Sequence, residues 1–392
     1  MTIPLNSTKW LASIHTVQKL KTTTDVQRMR LALRLARRGY GATSPNPMVG
    51  AVLVKGGEII GRGWHHRAGE PHAEIEALRH AAKLGHSPRG ATLFVTLEPC
   101  CTHGRTPPCT DAIIAAGIRR VVIGATDPNP QHAGRGFEIL QRRGIEVIHG
   151  VLAEECAALN EGFNHWIVRR TPFVTVKAAM TLDGKIATAS GESKWITGER
   201  ARAYGMKLRQ GSDAILVGIN TILADDPSLT FRAGQQTKAP RPSLRRIILD
   251  SLARTPLTAK VVTDESAPWT TIVVSKDAPA KRVAALAKQA RVLVVPGTQR
   301  ASINLRWLLK KLGADGVTSL LVEGGGEVNA SFLLGGFAQR VAFFYAPKIL
   351  GGRDSLKAVA GDGAKSLREV VPLTELRWQK LGADLLLTAR VG

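Results

Sequence analysis

The sequence has few cysteines, few aromatic side chains and no long hydrophobic run, and each shortage excludes a class of protein. Four cysteines in 392 residues are too few for a disulfide framework. Aromatic residues make up only 5% of the chain, so a stacking platform for single-stranded nucleic acid is not expected. No stretch reaches about 18 consecutive apolar residues, which argues against a membrane span. We therefore expect neither a membrane nor a nucleic-acid partner.

Acidic residues are also scarce relative to basic ones. The chain carries 54 Lys and Arg against 31 Asp and Glu, a formal net charge of +23. This excess suits phosphorylated small molecules, and a solvated basic surface accounts for it equally well. Residues 1–24 contain no acid and no continuous apolar segment, so we interpret them as a variable extension rather than a secretory signal. Three cysteines within ten residues point to metal or catalysis in a reducing, cytoplasmic compartment.

Two blocks of alternating strands and helices follow, which predicts an α/β protein with largely parallel sheets. One helix, Leu152–Val168, is expected to close the first block, because Pro172 makes its continuation improbable. The domain boundary is therefore placed after residue 170. In the second block, Gln235–Pro242 and Thr255–Pro268 are predicted to be surface loops.

The strongest local signal is Pro71-His72-Ala73-Glu74, followed by Pro99-Cys100 and then Cys109. One His and two Cys supply three ligands for a tetrahedral zinc ion and leave its fourth position for water. Zinc lowers the pKa of that water to about 7, and the glutamate can move its proton without being a ligand. This arrangement is the signature of zinc deaminases. Cys101 is the alternative to Cys100 as a ligand, and Cys156 is expected to be a buried core thiol.

Eight residues separate Cys100 from Cys109, where nucleoside and nucleic-acid deaminases usually have two. With this spacing the chain resembles the bifunctional deaminase/reductases of riboflavin biosynthesis. The first block carries the resemblance on these segments: Ser44–Gly50, Gly63–His66, Gly69–Glu74, Gly104–Cys109 and Asp127–Pro130. The resemblance implies a zinc-dependent deaminase domain at 25–170, with a three-layer fold like that of cytidine deaminase. It also implies an NADPH-dependent reductase domain at 171–392, with a fold like that of dihydrofolate reductase.

The resemblance implies that the first domain deaminates a diaminopyrimidinone carrying a ribosylamino 5-phosphate. One zinc ion per chain would be held by His72, Cys100 and Cys109, and Glu74 would be the catalytic proton carrier. Four residues would contact the pyrimidine and its ribose phosphate: Asn46, His65, Arg105 and Asp127. Each also has an ordinary interpretation, as a turn residue beside proline, a surface histidine or a solvated charge.

The second domain carries Lys177–Ala187, Gly191–Thr197, Leu223–Pro227 and Val322–Asn329. In the last segment a strand runs into three glycines and then a helix, an arrangement that presents backbone N–H groups to phosphate. The resemblance implies hydride transfer from NADPH to C1 of the ribose. It places these residues around the cofactor: Ala179, Trp195, Thr221, Asp225, Ser251, Gly325, Gly326, Glu327, Val328, Asn329, Ala330 and Ser331. It places these around the substrate: Lys177, Ser193, Arg209, Leu229, Arg232 and Glu323. The two arginines suit its phosphate, because a guanidinium binds phosphate through two parallel hydrogen bonds.

Two other functions stay open at this point. A tRNA or single-strand nucleic-acid deaminase with an appended binding domain would also suit the positive charge, although the cysteine spacing and the second-domain motifs speak against it. In a zinc-stabilised binding module without activity, Glu74 would be dispensable and metal removal would unfold the domain. We expect the chain to act on a phosphorylated pyrimidine as a homo-oligomer.

Overall fold

The structure is a computed structural model that describes residues 23–103, 107–231, 244–296 and 302–392. Two compact units divide the chain between Asn160 and Glu161, and the boundary expected from the sequence falls ten residues later. Strands alternate with helices along both units, which confirms the expected α/β class. In the described ranges no helix combines the length and the apolarity needed to cross a bilayer.

The described part of the first unit is a five-stranded sheet with helices on both faces. Its helices are α1 (Thr23–Ala36), α2 (Ala73–Lys83), α3 (Cys109–Ala115), α4 (Arg135–Arg142) and α5 (Ala153–Leu159). Its strands are β1 (Gly50–Lys55), β2 (Glu58–Trp64), β3 (Thr92–Leu97), β4 (Arg120–Ala125) and β5 (Glu146–Ile148). The strand order is β2-β1-β3-β4-β5, and β3, β4 and β5 run parallel. The loops that follow β3 and β4 therefore leave from the same edge of the sheet.

Glycines bring the helices of this unit close to the sheet. A Cβ on Gly50 would lie 2.0 Å from the carbonyl oxygen of Ala32 in α1. A Cβ on Gly63 would lie 2.3 Å from the carbonyl oxygen of Ala73, the first residue of α2. Gly63 pairs with the residue after Gly50, so the two glycines face opposite sides of the sheet. The unit thus has three layers, and the predicted core thiol, Cys156 in α5, is 1% exposed.

The second unit continues the chain with helices α6 to α12 and strands β6 to β16. Its helices are α6 (Glu161–Arg169), α7 (Glu199–Gln210), α8 (Ile219–Asp225), α9 (Lys260–Thr263), α10 (Ala280–Leu286), α11 (Leu305–Ala314) and α12 (Gly326–Leu334). Its strands are β6 (Phe173–Thr181), β7 (Lys185–Ala187), β8 (Ala214–Gly218), β9 (Arg245–Leu249), β10 (Thr270–Ser275), β11 (Arg291–Val295), β12 (Ser319–Val322), β13 (Arg340–Ala346), β14 (Leu356–Lys357), β15 (Leu373–Leu381) and β16 (Asp384–Val391).

Over the described residues, the main sheet of this unit has nine strands in the order β11-β10-β9-β8-β12-β6-β13-β16-β15. Every pairing from β11 to β13 is parallel, as the alternation of strands and helices predicts. The last two pairings, to β16 and β15, are antiparallel and were not predicted. The loops after β9, β8 and β12 therefore meet at one edge of the sheet, where α/β proteins commonly bind ligands.

Two sequence predictions are wrong. The expected helix Leu152–Val168 is two helices, because the chain breaks at Asn160. The Asn160 side chain turns inward, accepting a hydrogen bond from the Met48 N–H at 2.8 Å and donating one to the Met48 carbonyl at 2.9 Å. The expected surface loop Thr255–Pro268 contains α9, whose valines are buried in the second unit's core. The other predicted loop, Gln235–Pro242, lies outside the described residues.

Replacing Gly50 by alanine is expected to destabilise the first unit by about 1–3 kcal/mol, because the new methyl group overlaps the backbone of α1. The free energy of unfolding in urea, followed by circular dichroism, measures this. Gly162→Ala is the control, since that site lies inside α6 and its nearest neighbour is 3.6 Å from the new Cβ. An equal loss of stability in both variants would contradict the account.

Candidate active sites

Three potential metal ligands converge in the first unit from three separate segments. His72 immediately precedes α2, Cys100 lies three residues beyond β3, and Cys109 is the first residue of α3. The Nδ1 atom of His72 lies 3.2 Å from Sγ of Cys109 and 3.5 Å from Sγ of Cys100. All three ligand atoms lie within 4.8 Å of one another. Pro71 and Pro107-Pro108 predict helices that begin just after them. The beginnings of α2 and α3 at these places account for the convergence.

The arrangement fits a zinc ion. Ligand atoms at normal zinc bond lengths lie about 3.3–3.8 Å apart around a tetrahedral centre, close to the distances found here. The Cys109 N–H donates a hydrogen bond to Sγ of Cys100 at 3.3 Å, which favours a thiolate at that sulfur. The thiol of Cys109 is the main cause that lowers the pKa of Cys100 to about 4, and the ring of His72 and the Cys109 N–H add to it.

Glu74 points into the same place without belonging to the ligand set. It lies in the first turn of α2 and is 3% exposed. Its Oε2 atom has no hydrogen-bond partner among the described residues. Burial raises the pKa of Glu74 to about 7. A buried carboxyl oxygen left unpaired beside three metal ligands is what a proton-transferring group requires.

The predicted substrate contacts of the first unit divide into three groups. The first group is His65 with Asn46, and His65 is 2% exposed. The Nδ1–H of His65 donates a hydrogen bond to the Pro71 carbonyl at 3.0 Å. Its Nε2 therefore accepts one from the Asn46 side-chain amide at 3.1 Å. Burial lowers the pKa of His65, in keeping with this neutral tautomer. Asp127 follows β4 and accepts a hydrogen bond from the Asn129 N–H at 2.8 Å. Arg105 lies outside the described residues.

Cys101 is turned away from the ligand set. Its sulfur lies 3.5 Å from Nδ1 of His132, a residue of the loop that follows β4. Two further residues of this unit hold loops near the site, and neither was predicted. Asn160 binds the backbone of Met48, two residues after Asn46, and Glu98 binds the loop after β4. Their partners lie 112 and 29 or more residues away, so no local pattern reveals them.

In the second unit, Glu323 contacts two other predicted substrate residues, Lys177 and Arg209. It directly follows β12 and accepts hydrogen bonds from Nε and Nη2 of Arg209 at 2.8 and 3.0 Å. Lys177 in β6 places its Nζ 3.4 Å from Glu323 Oε2. Burial alone would raise the pKa of Glu323, but the charges of Lys177 and Arg209 lower it to about 2. Arg209 also donates to the Thr230 carbonyl, which leaves little of its guanidinium free for a phosphate.

The remaining predicted substrate residues are less clearly placed. Leu229 is 3% exposed and belongs to the unit's apolar core. Ser193 lines a groove of about 230 Å³ together with Trp195 and Lys348. Arg232, to which the sequence assigns the phosphate, lies outside the described residues.

Several of the predicted cofactor residues follow the carboxyl ends of parallel strands. The predicted strand, glycine turn and helix are present, since β12 ends at Val322 and α12 begins at Gly326. A Cβ on Gly325 would meet nothing within 4 Å, so this turn is open to a ligand. Ala179 lies in β6, Thr221 and Asp225 in α8, and Ser251 just after β9. Trp195 is 66% exposed under the Arg202 guanidinium.

The residues of α12 differ in what they can offer a cofactor. Asn329 and Ala330 are buried, and the Asn329 side chain donates to the Ala358 carbonyl at 2.8 Å. Ser331 donates to the Glu327 carbonyl within the helix. Val328 packs against Gly324. The N-terminal turn of α12, rather than these side chains, is therefore the part best able to meet a phosphate.

Comparisons with known proteins match both units. The family model of the cytidine and deoxycytidylate deaminase zinc-binding region matches residues 22–125, and that of the RibD C-terminal domain matches residues 172–387. The chain is 43% identical to riboflavin biosynthesis protein RibD of Actinobacillus pleuropneumoniae, over 94% of this chain and 95% of the relative. It is 46% identical to RibD of Aquifex aeolicus, over 93% of this chain and 97% of the relative.

Solved structures agree with these matches. RibD from Acinetobacter baumannii superposes with a TM-score of 0.84 at 35% identity, covering 94% of this chain and 99% of that one. A diaminohydroxyphosphoribosylaminopyrimidine deaminase/5-amino-6-(5-phosphoribosylamino)uracil reductase from Thermotoga maritima gives a TM-score of 0.79 at 37% identity, with the same coverage. The expected fold class, a deaminase-like first domain and a dihydrofolate-reductase-like second domain, is confirmed.

The two neighbouring cysteines are expected to behave differently towards metal. Cys100→Ser should purify nearly free of zinc, because it removes a sulfur from the converging set, whereas Cys101→Ser should retain about one zinc per chain. The metal content of the two purified proteins, measured by mass spectrometry, tests this. Equal loss in both variants, or loss only in the second, would show that the ligand set is wrongly assigned.

Proposed function

The chain belongs to the RibD family, the bifunctional deaminase/reductases of riboflavin biosynthesis, and we propose that each of its two units carries one of the two reactions. Its membership makes it a zinc-dependent deaminase and a reductase that uses a nicotinamide cofactor. The observation that supports this assignment is the convergence of His72, Cys100 and Cys109 beside the buried Glu74, a cluster that among the described residues occurs in the first unit alone.

The proposed first substrate is 2,5-diamino-6-(5-phosphoribosylamino)pyrimidin-4(3H)-one, in keeping with the name of the Thermotoga relative. His72, Cys100 and Cys109 would hold the zinc ion, which would supply a water of lowered pKa. Glu74 would accept a proton through its unpaired Oε2 and return it to the leaving amine. A carboxyl whose pKa lies near neutrality suits both steps, because it can take up and return a proton at little cost.

The proposed pyrimidine contacts follow from the same geometry. His65 fixes the amide of Asn46, since its Nε2 accepts from the Asn46 nitrogen. The side-chain oxygen of Asn46 is then the group that remains to accept a hydrogen bond from an amino group of the substrate. Asp127 and Arg105 are proposed for the ribose phosphate end, where the arginine supplies the positive charge.

The second unit is proposed to transfer a hydride from NADPH to C1 of the ribose of 5-amino-6-(5-phosphoribosylamino)uracil. The open turn at Gly325 and the start of α12 would meet the cofactor phosphates. Glu323 holds Lys177 and Arg209 as a partly buried cluster of one negative and two positive charges. This cluster would receive the anionic substrate at the carboxyl edge of the sheet.

Several finer features belong to the same proposal. One zinc per chain, preference for NADPH, a homo-oligomeric state and a cytoplasmic location are proposed from the sequence and the family. A reducing compartment keeps the two thiolate ligands available, and the four described cysteines form no disulfide. The match to deaminase/reductases over more than nine-tenths of the chain disfavours a nucleic-acid deaminase with an appended domain.

Glu74→Gln is expected to lose deamination by at least the 10²–10⁴-fold typical of a general acid–base residue, because the amide cannot accept a proton. Zinc content and NADPH-dependent reduction of the deaminated pyrimidine should stay unchanged. Ammonia release from the diaminopyrimidine measures the first reaction, and absorbance at 340 nm the second. Glu76→Gln, two residues along α2 and paired with Arg79, is the matched control. Retained deamination in Glu74→Gln would assign the proton transfer to another group.

Glu323→Gln is expected to slow reduction of the deaminated pyrimidine by about 10- to 150-fold. The reason is that charge-assisted hydrogen bonds of roughly 1.5–3 kcal/mol then no longer order Lys177 and Arg209. Oxidation of NADPH at 340 nm under single turnover measures the effect, and deamination should be untouched. Glu369→Gln, an exposed carboxylate of the same unit, is the control. An equal loss of both activities would show that Glu323 supports the whole chain rather than this site.

A further inference from the structure

Glu98 joins the strand that leads to Cys100 with the loop that follows β4. It is the first residue after β3, two residues before Cys100, and it is 3% exposed. Its own N–H donates to the Ala125 carbonyl at 3.0 Å, which extends the pairing of β3 with β4 by one residue. Backbone pairing therefore fixes the position of Glu98 in the chain, and its side chain reaches from there to the loop that follows β4.

The carboxylate accepts backbone N–H groups from both ends of that loop. Oε2 accepts from Asp127 at 3.1 Å and from Gly134 at 3.0 Å. Oε1 accepts from Gly134 at 2.9 Å and from Gly136 at 2.9 Å. One side chain thus closes the segment 127–136 into a ring at its base.

The far end of the segment is the start of α4, and Glu98 caps that helix from outside it. The residue before α4 is Gly134, which has a φ of +90° and no side chain to accept the first helical N–H groups. Glu98 takes that role, and its negative charge also suits the positive end of the helix. A Cβ on Gly136 would lie 2.6 Å from the Pro99 carbonyl and 3.1 Å from Glu98 Oε1, so only glycine allows this approach.

The ring begins at Asp127, one of the predicted substrate contacts. Asp127 is 7% exposed at its beginning, and His132 lies near its middle with Nδ1 3.5 Å from Sγ of Cys101. Glu98 itself contacts neither a ligand atom of the metal set nor Glu74 in any hydrogen bond among the described residues. We expect the Glu98 side chain to act on the reaction through the segment it holds.

We propose that Glu98 is a positioning residue of the deaminase, which sets the place of Asp127 relative to Cys100 and so governs binding of the substrate rather than its chemistry. The proposal rests on the proposed function, because it takes the first unit to be the deaminase. Four hydrogen bonds to one buried carboxylate, at both ends of one loop, are the observation that carries it.

The test is Glu98→Gln, which keeps the shape of the side chain but replaces one accepting oxygen by a donor. The Gly134 N–H lies between both oxygens and keeps one acceptor whichever way the amide turns, whereas either the Asp127 or the Gly136 N–H then faces the amide nitrogen and loses its acceptor. The KM for the diaminopyrimidine is expected to rise about 10- to 100-fold with kcat changed less than threefold. Zinc content and NADPH-dependent reduction should stay at the wild-type level. Glu138→Gln is the matched control, since that carboxylate lies on α4 itself and pairs with Arg142 on the surface.

A double-mutant cycle separates positioning from general support. Asp127→Asn should also raise KM, and Glu98→Gln should add little to it in the double variant if it acts through Asp127. Gly136→Ala offers a second route, because the methyl group moves the start of α4 away from Glu98 without changing any charge. The same rise in KM is expected there.

Three results would overturn the proposal: additive effects in the cycle, loss of zinc in Glu98→Gln, or a fall in kcat at unchanged KM. The second and third would make Glu98 part of the support of the metal site. Failure of the wild-type chain to deaminate the pyrimidine would instead overturn the proposed function, so the two failures are distinguishable. If Glu98→Gln does not fold, the KM of Gly136→Ala decides the question.

Discussion

Carboxylates that accept hydrogen bonds from backbone N–H groups hold the chain at the ends of its strands in both units. Glu98 does this at the carboxyl end of β3, and Asp250 at the carboxyl end of β9, where it accepts from the backbone of residues 254–255. Asp213 does it at the amino end of β8, accepting from residues 318–319. Hydrogen bonds to a charged group contribute roughly 1.5–3 kcal/mol each, so several together offset the cost of removing a carboxylate from water. Glu98 and Asp250 thereby hold the loops that follow β4 and β9 in place.

The elements that could be predicted are those whose cause is local. Alternating strand and helix patterns, prolines before α2 and α3 and glycines between β12 and α12 all act within a few residues, and the structure has these elements at the expected places. His72, Cys100 and Cys109 come together for the same reason, since each lies where a strand or loop turns into a helix or leaves the sheet. The roles of these residues stay predictions until they are measured.

The features that were missed have distant causes. Helical periodicity continues through Asn160, and only the Met48 backbone, far away along the chain, makes a break there favourable. The segment Thr255–Pro268 has the composition of a loop, yet part of it packs around Arg246. The Arg246 guanidinium is fully buried and donates hydrogen bonds to the Val261 carbonyl and to Asp264. A buried arginine satisfied by so many acceptors leaves no trace in a local pattern. The antiparallel strands β15 and β16 likewise depend on an edge that forms only when the sheet is assembled.

Glu98 closes the ring by accepting hydrogen bonds from main-chain N–H groups, so most side chains between Asp127 and Gly134 are not needed to form it. Substitutions at positions such as Gln131 or Ala133 can then change the side chains on the loop and leave its hydrogen bonds to Glu98 in place. The positions constrained by shape are the anchoring carboxylate, Gly134 with its φ of +90°, and Gly136. Within a family of related enzymes, such a loop can diversify by single steps, each compatible with a folded and metal-loaded intermediate. In this protein the residues that hold the loop in place are therefore different from the residues on the loop that can vary.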